Sequence, residues 1–295
     1  AVGSRSEESA QAYAAEHGIP RAHGSYEALL ADPEVDVIYN SLPNHLHAEW
    51  TIRAAQAGKH VLCEKPLAMN RAEAQAMVDA ARAAGVMLVE AYPYWFQPQT
   101  GRLVDLLQSG AIGRVLQVQA SFGFTLRNPD NIRMKPETGG GSLRDIGVYT
   151  FGSMRFVTGA EPVDISARIH RDNGVDTFAQ VAATMEGPGG RFTYGSMTSM
   201  RMYNRQVATF QGTKGMIRLE GGPFNANVND LAEVELHQNG NRVIVERFPA
   251  ANHYKLQVEA FGRTVREGAA YPCPLEFVKG TQAMMDRVYD VAVEI

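Results

Sequence analysis

The sequence predicts an α/β protein in two parts: a doubly wound parallel sheet first, then an α+β unit built on a large, mostly antiparallel sheet. Over the first 90 residues, short apolar runs alternate with helical stretches. Past Pro98 eight strand-like segments follow, joined mostly by short turns containing Gly or Asn. A chain of 295 residues, 45% hydrophobic, also exceeds the usual size of one core.

Taken in order, Ser6 to Glu16 reads as a helix stopped by Gly18, Val35 to Asn40 as a buried strand, and His45 to Ala57 as a helix closed by Gly58. His60 to Cys63 is a strand. Asn70, with Glu73 three residues on, forms a capping box for a helix ending at Gly85, and Val86 to Glu90 is the next strand. The boundary falls near residue 95, dividing the chain into units 1–95 and 96–295.

In the second unit a helix closes near Gly110. Strands are expected over Val115 to Phe124, Val163 to Ile169, Thr177 to Met185, Arg191 to Ser199, Val207 to Gln211, Met216 to Leu219, Val234 to His237 and Val243 to Arg247. Ser142 to Thr158 and Tyr254 to Glu267 read as helices, and Leu275 to Val293 as a final helix. A sheet this broad with one uncovered apolar face would need a partner, so a homodimer or higher homo-oligomer is expected.

A doubly wound nucleotide-binding sheet opens with strand, Gly-rich turn and helix, yet no G-x-G-x-x-G occurs here. Gly139-Gly140-Gly141 and Gly187-Pro188-Gly189-Gly190 lack its spacing and lie far from the first strand. Ala1-Val2 has the character of a second strand's end, so a strand-loop-helix unit of about 30 residues is expected ahead of it.

A net charge of -4 argues against nucleic-acid binding, which needs a basic surface. No apolar run is long enough to span a membrane. Cys63 and Cys273 form neither a disulfide framework nor a zinc motif, so no metal is expected, and they fit a reducing, cytoplasmic setting.

Three groups of residues carry chemistry. Gly3-Ser4-Arg5 follows the apparent second strand, where a carboxylate normally binds the adenosine ribose diol of NAD; a hydroxyl and a guanidinium suit a 2'-phosphate instead, although an Arg at a helix start is also an ordinary solvated charge. Leu42-Pro43-Asn44-His45-Leu46-His47 and Glu64-Lys65-Pro66 end successive strands, and both point at the crevice where open α/β sheets bind ligands. In Gly139 to Tyr149, a helix capped by Ser142 puts Asp145 and Tyr149 on one face. The same spacing also describes an amphipathic helix with a core Tyr and an Asp at its N-terminal dipole.

Together, Ser41 to His47, Ala57 to Leu67 and Gly139 to Tyr149 resemble the glucose-fructose oxidoreductase/inositol dehydrogenase (Gfo/Idh/MocA) family over essentially the whole chain. Asn131-Ile132-Arg133 and the terminal Tyr149 are most similar to the subgroup of NADP-dependent D-xylose dehydrogenases, dimeric dihydrodiol dehydrogenases and glucose-fructose oxidoreductases. The resemblance implies a dinucleotide-binding Rossmann domain over 1–95, its first βα unit missing, and a substrate-binding and dimerisation domain over 96–295.

It further implies Lys65 as catalytic Lys, Tyr149 as acid/base and Asp145 as an active-site carboxylate. Leu42, Pro43, Asn44, His47, Glu64 and Lys65 would line the nicotinamide end, with Ser4 and Arg5 at the adenosine end of NADP. The expected activity is hydride transfer between NADP and C1 of an aldose or related polyol, with Lys65 lowering the phenol's pKa. A trans-dihydrodiol dehydrogenase, a 1,5-anhydrofructose-type reductase and a non-catalytic NADP(H)-binding regulator are the alternatives. Tyr94-Trp95-Phe96-Gln97-Pro98-Gln99 departs from the subgroup's Tyr-Arg-Phe-His-Pro-Gln; Trp95 offers either a stacking surface or core packing.

Overall fold

The computed structural model describes residues 1–220, 222–224 and 232–295. In the first part β1 (Val2–Gly3) pairs in parallel with β2 (Ala22–His23), and β3 (Val37–Asn40), β4 (His60–Cys63) and β5 (Leu88–Glu90) form a separate parallel sheet in that order. Local chemistry sets the helix ends. The first helix, α1 (Glu7–His17), starts where the Ser6 side chain accepts the Ser9 N–H and stops at left-handed Gly18. After α2 (Tyr26–Ala31) and α3 (His47–Gln56), α4 (Arg71–Ala84) opens with the expected box: Asn70 accepts the Glu73 N–H at 2.9 Å, and Glu73 accepts the Met69 N–H at 3.0 Å. Its Ala74, Met77, Val78 and Ala81 face is buried. The short β2 and α2 escape a periodicity reading because neither spans enough residues to show a period.

One strand is less buried than its apolar run implies. Val37 and Tyr39 of β3 are 38% and 52% exposed, because β3 pairs only with β4 and both β3 and β1 border a cleft of about 720 Å³.

The second part begins with α5 (Pro98–Gln108) and β6 (Val115–Thr125). Then come α6 (Val148–Thr158), β7 (Glu161–Asp172), β8 (Val175–Gly187), β9 (Gly190–Ser199), β10 (Arg201–Gly212), β11 (Gly215–Glu220), β12 (Ala232–Gln238) and β13 (Arg242–Phe248), and the chain ends with α7 (His253–Glu267), α8 (Leu275–Val291) and β14 (Ala292–Glu294). The strands form one sheet of nine in the order β13-β12-β11-β10-β6-β9-β8-β7-β14, antiparallel except for the β6–β9 and β7–β14 pairs. The last helix is therefore shorter than expected. Ala292–Glu294 leave it and pair with the free edge of β7, whose unpaired backbone groups accept a strand.

Val118, Ala120, Phe122, Ala208 and Phe210 turn one face of this sheet into the core. The opposite face is mixed rather than uniformly apolar: Gln119, Gln180, Ala182 and Arg168 are exposed on its middle strands, and Val243 and Val245 on β13.

Candidate active site

Two turns and one helix start converge at the carboxyl ends of β3 and β4. The Leu42–Leu46 turn and the Glu64–Leu67 turn come from the parallel sheet, where strand ends in such sheets form ligand crevices. Residues 131–149 come from the second part. The cavity between them is about 190 Å³, lined among others by Leu42, Asn44, Lys65, Arg133 and Asp145.

Lys65 is nearly buried. Its Nζ donates to Asp145 Oδ1 at 2.9 Å and to the Asp145 carbonyl at 2.7 Å. Arg133 Nε lies 2.8 Å from Asp145 Oδ2. Burial pushes the Asp145 carboxyl up, but the charges and hydrogen bonds of Lys65 and Arg133 overcome it and hold the group below the usual carboxylate value. Arg133 is the member of this cluster that motif reading did not assign a role; the signal available was its place in Asn131-Ile132-Arg133 ahead of the Gly run.

That run has a steric cause. A Cβ on Gly140 would lie 2.3 Å from the Arg133 carbonyl, and one on Gly141 (φ +122°) would lie 2.3 Å from Asp176 Oδ1. The chain must pass this close so that Arg133 can reach Asp145. Asp176 itself, buried on β8, accepts the Leu143 N–H at 2.7 Å, Ser142 Oγ–H at 2.9 Å and Tyr289 Oη–H at 2.8 Å. So Ser142 is not the cap that its position suggests: it is already helical, and Asp176 caps the helix from across the fold. Residues Leu143–Gly147 form a wide π turn before α6, a geometry frequent at functional sites, with Asp145 in its middle.

Tyr149 packs against Tyr94, Phe122 and Phe224 at ring separations of 5.5, 5.6 and 6.4 Å. Lys65 Nζ sits 5.2 Å from the centre of the Tyr149 ring, against its face. The expected lowering of the phenol's pKa is reversed here. Burial, then the negative charges of Glu64 and Asp145 and the nearby Tyr254, push it well above the ordinary value, while Arg133 opposes.

The remaining expected residues divide. Asn44 donates to the Gly139 carbonyl at 2.9 Å, tying the turn to the Gly run. Pro43 precedes the short Asn44–Leu46 turn and is half-buried. His47 is 1% exposed, with Nδ1 2.8 Å from the Pro66 carbonyl and Nε2 2.7 Å from the Leu42 carbonyl, so its ring sits between two turns and in its neutral form donates to one of those oxygens. Burial lowers its pKa against the pull of those carbonyls. Glu64 accepts the Lys65 N–H at 3.2 Å and the Tyr39 hydroxyl. Trp95 is core: it stacks on Phe156 at 3.9 Å and Tyr92 at 5.3 Å, with Phe277 edge-on at 4.8 Å.

A nicotinamide dinucleotide is the cofactor that these residues fit. Ser4 lines one part of the long cleft between the parallel sheets, Asn40, Ser41 and Leu42 line another, and Arg5 is exposed next to Ser4. Ser41 and Leu42 also line the Lys65 cavity, so cleft and cavity share a wall.

Residues 1–92 match the model of the oxidoreductase family with an NAD-binding Rossmann fold, and residues 101–218 match the GFO/IDH/MocA C-terminal domain. The chain is 39% identical to an NADP(+) D-xylose 1-dehydrogenase of Haloferax volcanii, over 99% of this chain and 89% of that one. It is 39% identical to a trans-1,2-dihydrobenzene-1,2-diol dehydrogenase of Xenopus laevis, over 74% of this chain and 66% of that one. Among solved structures, a 3-ketoreductase from Actinomadura kijaniata in complex with NADP and TDP-benzene superposes with a TM-score of 0.88, at 29% identity, covering 99% of this chain and 89% of that one. An aldose-aldose oxidoreductase from Caulobacter crescentus, complexed with glycerol, also gives a TM-score of 0.88, at 28% identity, covering 99% of this chain and 88% of that one. With its parallel and mostly antiparallel sheets and a crevice between them, this chain belongs to the Gfo/Idh/MocA family of NAD(P)-dependent oxidoreductases.

Proposed function

We propose that the protein is an NADP-dependent oxidoreductase acting at C1 of an aldose or a related sugar or polyol, with Tyr149 as acid/base and Lys65 as its partner. The observation that carries this reading is the convergence of Lys65, Asp145 and Arg133, from distant parts of the chain, on one small cavity, with the Tyr149 ring 5.2 Å from the Lys65 ammonium. NADP is favoured over NAD by Ser4 and Arg5 where an NAD site needs a carboxylate. Leu42, Pro43, Asn44, His47 and Glu64 build the nicotinamide end, Asn44 and His47 by holding turns in place.

When bound, the nicotinamide supplies a hydride acceptor or donor. The chain does the rest. Tyr149 takes up or releases the proton of the reacting oxygen, Lys65 hydrogen-bonds that oxygen, and Asp145 holds Lys65 aimed. Microscopic reversibility gives a second reading, in which the same residues reduce a carbonyl and Tyr149 donates the proton.

The test is NADP⁺ reduction with xylose, glucose, arabinose and a trans-dihydrodiol, with NADPH oxidation by keto sugars alongside, each beside Tyr149→Phe. Turnover on an aldose that collapses in the variant supports the first reading. Turnover only with a keto sugar moves the assignment to a reductase, and tight NADPH binding without any turnover moves it to a regulator. The reading also takes 1–95 as the dinucleotide domain and 96–295 as the substrate domain, and a homodimer through the sheet face opposite the core; light scattering at a monomer mass would remove the dimer.

A further inference from the structure

Glu90, at the end of β5, is 2% exposed and has no part in the chemistry above. One of its oxygens, Oε1, accepts the Leu67 N–H at 2.7 Å. Leu67 follows Lys65 and Pro66 in the turn that leaves β4, and its amide, buried outside any helix or strand, requires an acceptor. The same turn is held at its other residues: the Lys65 N–H by Glu64 at 3.2 Å, and the Pro66 carbonyl facing His47 Nδ1 at 2.8 Å. Without Glu90 the Leu67 amide loses its acceptor, leaving the weak Cys63 Sγ–H contact to the Leu67 carbonyl.

We propose that Glu90 is a positioning residue for Lys65, fixing the Lys65–Pro66–Leu67 turn through the Leu67 amide so that the ammonium meets Asp145 and the reacting oxygen. This rests on the reading of Lys65 given above.

The other oxygen, Oε2, has no hydrogen-bond partner among the described residues, and neither has the buried Tyr92 hydroxyl beside it. Around the carboxyl lie Tyr92 and Tyr94 from its own segment, Cys63, Glu64 and Lys65 from β4 and its turn, and Cys273 ahead of α8. Burial pushes the Glu90 carboxyl up to about 8; the Leu67 amide, Tyr92 and Lys65 oppose this and Glu64 adds to it. At neutral pH the group therefore mostly carries its proton, and a neutral carboxyl can accept from Leu67 with one oxygen while its O–H faces Tyr92. Glutamine has the same donor and acceptor pattern.

The experiment compares Glu90→Ala, Glu90→Gln and Lys65→Met, and the double variant Glu90→Ala/Lys65→Met, in the full-length enzyme with its best substrate. Glu90→Ala is expected to lower kcat about 10- to 100-fold with little change in KM, the effect of a misplaced catalytic group. Hydrogen exchange at the Leu67 amide should speed up in parallel. Glu90→Gln should restore both, and Glu90→Ala should cost nothing further on the Lys65→Met background. If Glu90→Ala fails to fold, Glu90→Met, of similar size and without an acceptor, replaces it. A wild-type kcat in the truncated variant, a Gln variant as impaired as Ala, or an undiminished loss on the Lys65→Met background would each overturn the proposal. If Lys65→Met alone keeps full kcat, the reading of Lys65 fails with it, whereas unchanged Leu67 exchange in Glu90→Ala removes the clamp alone.

Discussion

Two buried carboxylates flank the turn of Lys65, and their environments drive them in opposite directions. Asp145 meets two cations and stays ionised in spite of burial. Glu90 meets one backbone amide and one phenol, and burial raises it to about 8. The difference teaches that depth alone does not set the charge of an acid; the count of full positive charges within hydrogen-bond reach does. It also separates their roles: an ionised group can hold an ammonium, and a neutral one serves as a fixed hydrogen-bond partner.

The comparison can be broken at the chemistry first. Tyr149→Phe is expected to lower kcat by about 10²- to 10⁴-fold with KM little changed, since it removes only the proton carrier. Next, Asp145→Asn leaves Lys65 and Arg133 without their shared anion. A drop of about 10- to 100-fold in kcat is expected from the freed Lys65, and steady-state kinetics with a single substrate decides both.

Stability offers a sharper contrast, because the two acids carry opposite signs. Asp145 has a depressed pKa, so its contribution is present above the unfolded carboxyl value and is lost as pH falls through the folded one. The melting-temperature gap between wild type and Asp145→Asn should hold from pH 5 to 8 and close below about pH 4. Glu90 has a raised pKa, so the unfolded state binds fewer protons between about pH 4.5 and 8 and stability falls as pH rises through that window. Glu90→Gln should therefore gain on wild type from pH 5 to pH 8 by calorimetry. A gap that moves the same way for both variants would erase the distinction.

The smallest expected effect on activity lies at Trp95. Trp95→Ala opens a void between Phe156, Tyr92 and Phe277 and should destabilise by about 3–5 kcal/mol while kcat at low temperature stays near wild type. A large loss of kcat without loss of stability would return Trp95 to the site.

Much of the fold is legible in the sequence itself. The Asn70–Glu73 box, the Gly18 and Gly85 stops and the alternating strands of the second half all act within a few residues, so they leave a local signature. The Glu64-Lys65-Pro66 and Asp145–Tyr149 segments stood out for the same reason. The cap on α6 was not legible. Ser142 has the right type at the right place, but Asp176, 34 residues away, accepts its hydroxyl instead. Nor were the backbone contacts of His47 legible: it lines the Lys65 cavity and also sits against the Pro66 and Leu42 carbonyls, 19 and 5 residues away.

By itself, then, the sequence determined the class of fold, the order of nearly every element and the residue types that approach the reaction, because these depend on periodicity and on short-range hydrogen bonds. Only the tertiary structure decided which charges meet. It set Lys65 between Asp145 and the face of the Tyr149 ring, brought in Arg133, turned Trp95 into the core and left Glu90 under the turn. Charge and pKa follow distance and burial, and both are set by segments 80 residues apart in the chain coming into contact.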